Sequence, residues 1–136
     1  MSTVREIEPP EASPDVRRIF DDIRATKGID FVPKFWRALA SHPPLLEQVW
    51  TDLKRTMAPG RLDPLTKEII ALAVSATNGC RYCVHSHTAS ARKLGLDDEM
   101  LGEVMAVVGL FNQTNALADA YQVEVDPQIL AVSQGS

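Results

Sequence analysis

The chain repeats one start signal for a helix. At Ser13-Pro14 and again at Asp63-Pro64, a side chain that can cap a helix stands directly before a proline, which suits the first helical position. Behind each signal the apolar residues recur three and four apart, the spacing that lines one face of a helix. The first stripe is Val16, Ile19, Phe20 and Ile23, closed by Gly28. The second is Leu65, Ile69, Leu72 and Ala76, with Ile70 and Ala73 widening the face and Asn78-Gly79 closing it. Between them, Phe31-Val32-Pro33 reads as a connector and Phe35, Trp36, Leu39 and Ala40 as a short helix that Ser41-His42-Pro43-Pro44 breaks. A longer helix then carries Leu45, Leu46, Val49, Trp50, Leu53 and Met57 until Pro59-Gly60. After Gly79 a helix runs to Gly95. Asp97 caps the next, Leu96 and Leu101 are placed as a hydrophobic staple, and Leu101, Val104, Met105 and Val108 form its stripe. The polar run Asn112-Gln113-Thr114-Asn115 either breaks that helix or forms a wet face, and a further segment reaches Tyr121. No stretch alternates cleanly as a strand does, so the expectation is an all-α helical bundle.

At 136 residues the chain is expected to form a single domain over 1–136, with an extended arm over 1–12 and a weakly patterned tail over 122–136. A net charge of -4 gives no reason to expect nucleic acid or an anionic membrane as partner. No apolar run approaches the ~20 residues that span a bilayer. The first residues, Met1-Ser2-Thr3-Val4-Arg5-Glu6, lack the apolar centre of a signal peptide, so a cytoplasmic location is expected. In that reducing compartment a close cysteine pair serves catalysis, redox chemistry or metal binding more often than it staples a fold.

The only two cysteines stand as Cys80-Arg81-Tyr82-Cys83, and His87 follows four residues later. On a helix, positions three, four and seven apart share a sector, which brings two thiols and an imidazole together while His85 points elsewhere. Cysteines three apart on a helix can be bridged with little backbone movement. The start of the helix favours a thiolate at Cys80, and Cys83 has His87 one turn on as a base. Glu68 lies eleven residues before Gly79 and His87 eight after it. At 1.5 Å per residue these are about 16 Å and 12 Å along their helices, roughly level if the two fold back on one another. A glutamate bonded to the histidine would fix its tautomer and strengthen it as a base.

The pattern Glu-x11-Cys-x-x-Cys-x-x-x-His, present as Glu68, Cys80, Cys83 and His87, resembles the signature of the AhpD-like alkylhydroperoxidases in the carboxymuconolactone decarboxylase superfamily. The text from Asn78 to His87, then Ala91-Arg92-Lys93-Leu94-Gly95, is similar to the peroxidase-related branch, and the similarity extends from about Pro33 to Tyr121. The resemblance implies an all-helical, obligately oligomeric protein, usually a trimer or hexamer, that reduces peroxides without a bound cofactor. It implies Cys83 as the peroxide-reactive thiol, Cys80 as its resolving partner, and Glu68 with His87 as a proton relay, with a thiol or dithiol as electron donor. Some active members carry histidine just before the second cysteine, where this chain has Tyr82. Decarboxylase members lack the cysteine pair, so the resemblance implies no decarboxylation.

Blander readings exist for each residue. Paired cysteines also occur as buried apolar residues, and two cysteines, a histidine and a glutamate can satisfy tetrahedral zinc. The alternative is therefore a zinc-binding or purely structural oligomer of the same fold without turnover. His42, at a Pro-Pro turn, and His85 are expected to play no part. Trp36, Trp50 and Phe111 are expected as core or interface anchors.

Overall fold

The cap-and-proline signals at Ser13 and Asp63 start helices in the computed structural model, which describes residues 1–135. Among these residues there are seven α-helices and no strand: α1 (Pro14–Lys27), α2 (Lys34–Leu39), α3 (Pro43–Met57), α4 (Pro64–Thr77), α5 (Arg81–Lys93), α6 (Asp98–Ala120) and α7 (Pro127–Ser133). The caps are physical. The Val16 N–H donates to Ser13 Oγ at 3.4 Å, the Thr66 N–H to Asp63 Oδ1 at 2.9 Å, and the Met100 N–H to Asp97 Oδ1 at 2.8 Å. Among the described residues no helix is long and apolar enough to cross a membrane.

The chain divides into two compact units, Met1–Ala58 and the segment from Pro59 onward. In the first, the α1 stripe buries Val16, Phe20 and Ile23 against Trp36 of α2 and Leu46 and Trp50 of α3, with Ala12, Val32 and Ala40 completing the cluster. Burying side chains of this size contributes about 1.5–3 kcal/mol each. The two tryptophan rings meet edge to face, centroids 5.1 Å apart, a geometry worth about 0.5–1.5 kcal/mol beyond burial. Trp50 carries a polar N–H into this cluster, and Asp22 satisfies it: Nε1 donates to Oδ2 at 2.8 Å. Lys54 donates to the same oxygen at 2.5 Å while lying over the Trp50 ring. The Lys54 bond first, and the Trp50 bond second, hold the Asp22 carboxyl below its ordinary value of 3.8.

The arm is tied down within this unit. The Ile7 N–H donates to the Arg37 carbonyl at 3.0 Å, and the Arg37 guanidinium reaches both oxygens of Glu8 at 2.6 Å and Glu6 at 3.1 Å. Its last three residues before Ala12 form a 3-10 turn, Pro9–Glu11, in place of a fully extended run.

In the second unit α5 and α6 pack on α4 around buried Leu72, Ala91 and Leu96. Leu65, Ile69, Val84, Met100, Leu101, Val104 and Met105 close around these three. The Leu96–Leu101 staple thus sits in the core, whereas Ile70, counted on the inner face from its spacing, is exposed. Asn112–Asn115 do not interrupt α6, and two of their amides find partners: Asn112 Nδ2 donates across to Thr77 Oγ1 of α4 at 3.3 Å and Asn115 Nδ2 to the Phe111 carbonyl one turn back at 2.5 Å. The tail contains α7, started by Asp126-Pro127, and its last residue, Ser136, lies outside the described residues.

Candidate redox site

The site is assembled at the turn that joins α4 to α5. Gly79 takes the left-handed conformation, φ 71°, which a residue with a Cβ adopts at a cost. That lets the Gly79 N–H reach the Ala76 carbonyl at 3.3 Å and the Cys80 N–H reach the Ser75 carbonyl at 3.0 Å, the paired bonds that satisfy the orphan carbonyls of a helix end. The turn therefore ends on Cys80 with its backbone already committed. Cys80 is at the same time the N-cap of α5, one step outside the first turn where its spacing had put it. Its Sγ accepts the Cys83 N–H at 3.3 Å, doing with sulfur what serine or aspartate does with oxygen at the other helix starts.

The two sulfurs are joined in a disulfide, with Cα atoms 5.2 Å apart, inside the range such a bridge requires. Both cysteines are half-buried, and Arg81 and Tyr82 between them are exposed.

Glu68 projects from α4 beside the row formed by Leu65, Ile69 and Leu72, and His87 projects from α5 two turns after Cys80. Because α5 folds back along α4, the two side chains meet, with Glu68 Oε2 2.8 Å from His87 Nδ1. The pair is sheltered, the glutamate side chain 15% exposed and the histidine 25%. An ionised carboxylate can only accept, so Nδ1 is the donor in this bond, and in a neutral imidazole that leaves the lone pair on Nε2. Sheltered from water, this bond contributes more than an exposed one would and holds the ring in one orientation.

The four residues expected from the sequence thus come together as two linked pairs on adjacent helices: the disulfide of Cys80 and Cys83, and the hydrogen-bonded Glu68 and His87. His85 is exposed. His42 occupies the N-cap of α3 without a side-chain cap bond. Among the described residues no three His, Cys, Asp or Glu side chains converge as metal ligands. Spacing did not disclose that Cys80 is a cap. The signal was there in Asn78-Gly79, whose helix-ending geometry leaves the next residue as the first available N-cap.

A model of the carboxymuconolactone decarboxylase family matches residues 44–124. Among curated proteins, the chain is 40% identical over 65 residues to the alkyl hydroperoxide reductase AhpD of Solibacter usitatus, covering 48% of this chain and 35% of that protein. It is 39% identical over 56 residues to the AhpD of Streptomyces griseus, covering 41% and 32%. The chain thus aligns with about a third of the length of these reductases. Among solved structures, the alkylhydroperoxidase AhpD core of Rhodospirillum rubrum superposes with a TM-score of 0.91 at 50% identity, over 96% of this chain and 98% of that one. A peroxidase-related protein of Silicibacter, at 20% identity and a TM-score of 0.53, shares the fold. On the family match across residues 44–124 and the near-complete correspondence with the Rhodospirillum core, the chain belongs to the carboxymuconolactone decarboxylase family, on its AhpD-like side.

Proposed function

We propose that this protein is a thiol-dependent peroxidase in which Cys83 reduces the peroxide, Cys80 resolves the product, and Glu68 with His87 moves the proton. The observation that carries the reading is the 2.8 Å Glu68–His87 bond on the helix pair that also holds the disulfide. In the reduced protein the Cys83 thiolate attacks the distal peroxide oxygen. The O–O bond breaks, leaving an alcohol and a sulfenic acid. The Cys80 thiolate attacks that sulfur, water leaves, and the disulfide forms. Two thiol equivalents from a donor then restore both cysteines, so the cycle converts one peroxide and two thiols to alcohol, water and donor disulfide.

Two effects compete for the first attack. The helix start favours Cys80 as thiolate by about 0.3–1 kcal/mol. A positioned base is worth about 10²–10⁴ in rate, and His87 lies one turn from Cys83. The larger effect assigns the attack to Cys83. The cycle fits a reducing cytoplasm, where thiol donors are supplied. We also propose a homo-oligomer, trimer or hexamer, supported by the exposed apolar side chains Val107, Leu110, Phe111 and Leu117 along α6.

The test is trapping. With Cys80→Ser, peroxide followed by a sulfenic-acid-specific nucleophile should label position 83, read by peptide mass. Cys83→Ser should label at neither position at a comparable rate. Labelling of Cys80 at the original rate in the Cys83→Ser protein would reverse the assignment.

A further inference from the structure

The residue after Cys80 stands out by its charge. Arg81 is the first residue of α5 and is exposed. Among the described residues it enters no hydrogen bond or ion pair, and no acidic residue occupies the first turn of its helix. Its neighbours Asn78, Gly79, Tyr82 and Val84 carry no charge to offset it. Arg24 is engaged by Asp21, Arg37 by Glu6 and Glu8, and Arg92 by Asp98, whereas among the described residues Arg81 shares its unengaged state with Arg55 and Arg61 and is the one of these three next to the disulfide. A single uncompensated cation therefore stands beside the disulfide.

We infer that Arg81 is a specificity-determining residue for the reducing step, and that the donor it favours is an anionic thiol or dithiol, one with a carboxylate near its sulfur. The inference rests on the redox cycle proposed above. In the step concerned, a donor thiolate attacks Cys80 Sγ and the Cys80–Cys83 bond breaks. Cys83 leaves with the electron pair and takes up a proton. A second donor thiolate attacks the donor sulfur of the mixed disulfide, which frees Cys80 and oxidises the donor to its disulfide. Each attacking species is negative at its sulfur, and a cation brought to about 6 Å of it in water would raise the rate about threefold per unit of donor charge.

Three small thiols turn this into a measurement, because their thiolates carry different net charges: 3-mercaptopropionate (-2), 2-mercaptoethanol (-1) and cysteamine (zero). The oxidised protein is mixed with each under anaerobic, low-salt conditions and quenched with an alkylating agent. Reduction is followed by intact mass, and rates are compared at equal thiolate concentration. With Arg81→Gln the 3-mercaptopropionate rate should fall about tenfold, the 2-mercaptoethanol rate about threefold and the cysteamine rate not at all. Arg81→Lys should restore the wild-type ranking, and added salt should flatten it. Reduction by all three thiols with a charge ranking indifferent to residue 81 would overturn the role of Arg81 and leave the redox cycle standing. Failure of every thiol to open the disulfide, in wild type as well as variant, would overturn the redox cycle itself.

Discussion

The two units of the chain solve different problems. The first, Met1–Ala58, closes seven other buried residues around two buried tryptophans and satisfies the polar N–H it buries with an aspartate, to which a lysine also donates. The second buries three apolar residues, Leu72, Ala91 and Leu96, and shelters the hydrogen-bonded pair of Glu68 and His87. The first unit leaves Val4, Phe31, Phe35 and Leu45 among its exposed apolar residues, whereas the second exposes a longer series that includes Ile70, Val74, Val107, Leu110 and Phe111. The larger buried cluster lies in one region, and the disulfide with the Glu68–His87 bond in the other. Because both tryptophans lie in the first unit and both cysteines in the second, fluorescence and thiol alkylation report on the two separately.

The largest expected effect tests whether the second unit's polar pair serves chemistry. His87→Ala should slow peroxide oxidation of the reduced protein by about 10²–10⁴, and Glu68→Gln should slow it in the same direction, both with flattened pH dependence. Thermal unfolding followed by far-ultraviolet circular dichroism, which reports on the helices of both units, should move little. A large loss of stability with unchanged oxidation rate would make the pair structural and erase the contrast.

Next comes the packing of the first unit. Phe20→Ala removes a fully buried ring and should cost about 3–5 kcal/mol in denaturant unfolding. The folded fraction should still form the Cys80–Cys83 disulfide under mild peroxide. Loss of that reaction in fully folded protein would show the two regions to be coupled.

A smaller effect sharpens the role of the turn. Gly79→Ala meets no neighbouring atom, so its cost is the left-handed backbone alone, about 1–2 kcal/mol. It should appear in urea unfolding and as faster amide exchange at Cys80 and Cys83.

The smallest concerns acid. The Asp22 carboxyl titrates lower folded than unfolded, so its contribution is present above about pH 4 and is lost as pH falls through the folded value. Asp22 is 43% exposed, so screening limits the contribution to under about 1 kcal/mol. Asp22→Asn should remove that part of the acid transition, read by Trp50 fluorescence, and leave thiol reactivity unchanged.

Much of this arrangement could be read from residue types. Ser13, Asp63 and Asp97 cap as their place before proline or before an apolar stripe requires, and the level placement of Glu68 and His87 followed from counting residues either side of Gly79. Other features stayed hidden for physical reasons. α7 begins with the same Asp126-Pro127 signal, but Ile129, Leu130 and Val132 are exposed, so no buried stripe supported it. The polar run within α6 has amide bonds from Asn112 and Asn115, one of them to a residue thirty-five positions away. Ile70 lies on the margin of its stripe, where spacing alone does not decide between core and surface.

The double use of Cys80, ending one helix and opening the next, has a consequence for how this molecule can vary. Connections between helices are ordinarily where chains tolerate added or lost residues. Here the connection has no spare length, since a backbone bond that closes it, its cap and one sulfur of the disulfide belong to one residue. One residue inserted between Ser75 and Cys80 would place a different residue at the cap and turn the face of α5 by about 100°, carrying His87 away from Glu68. Length, more than composition, is what this turn has to conserve.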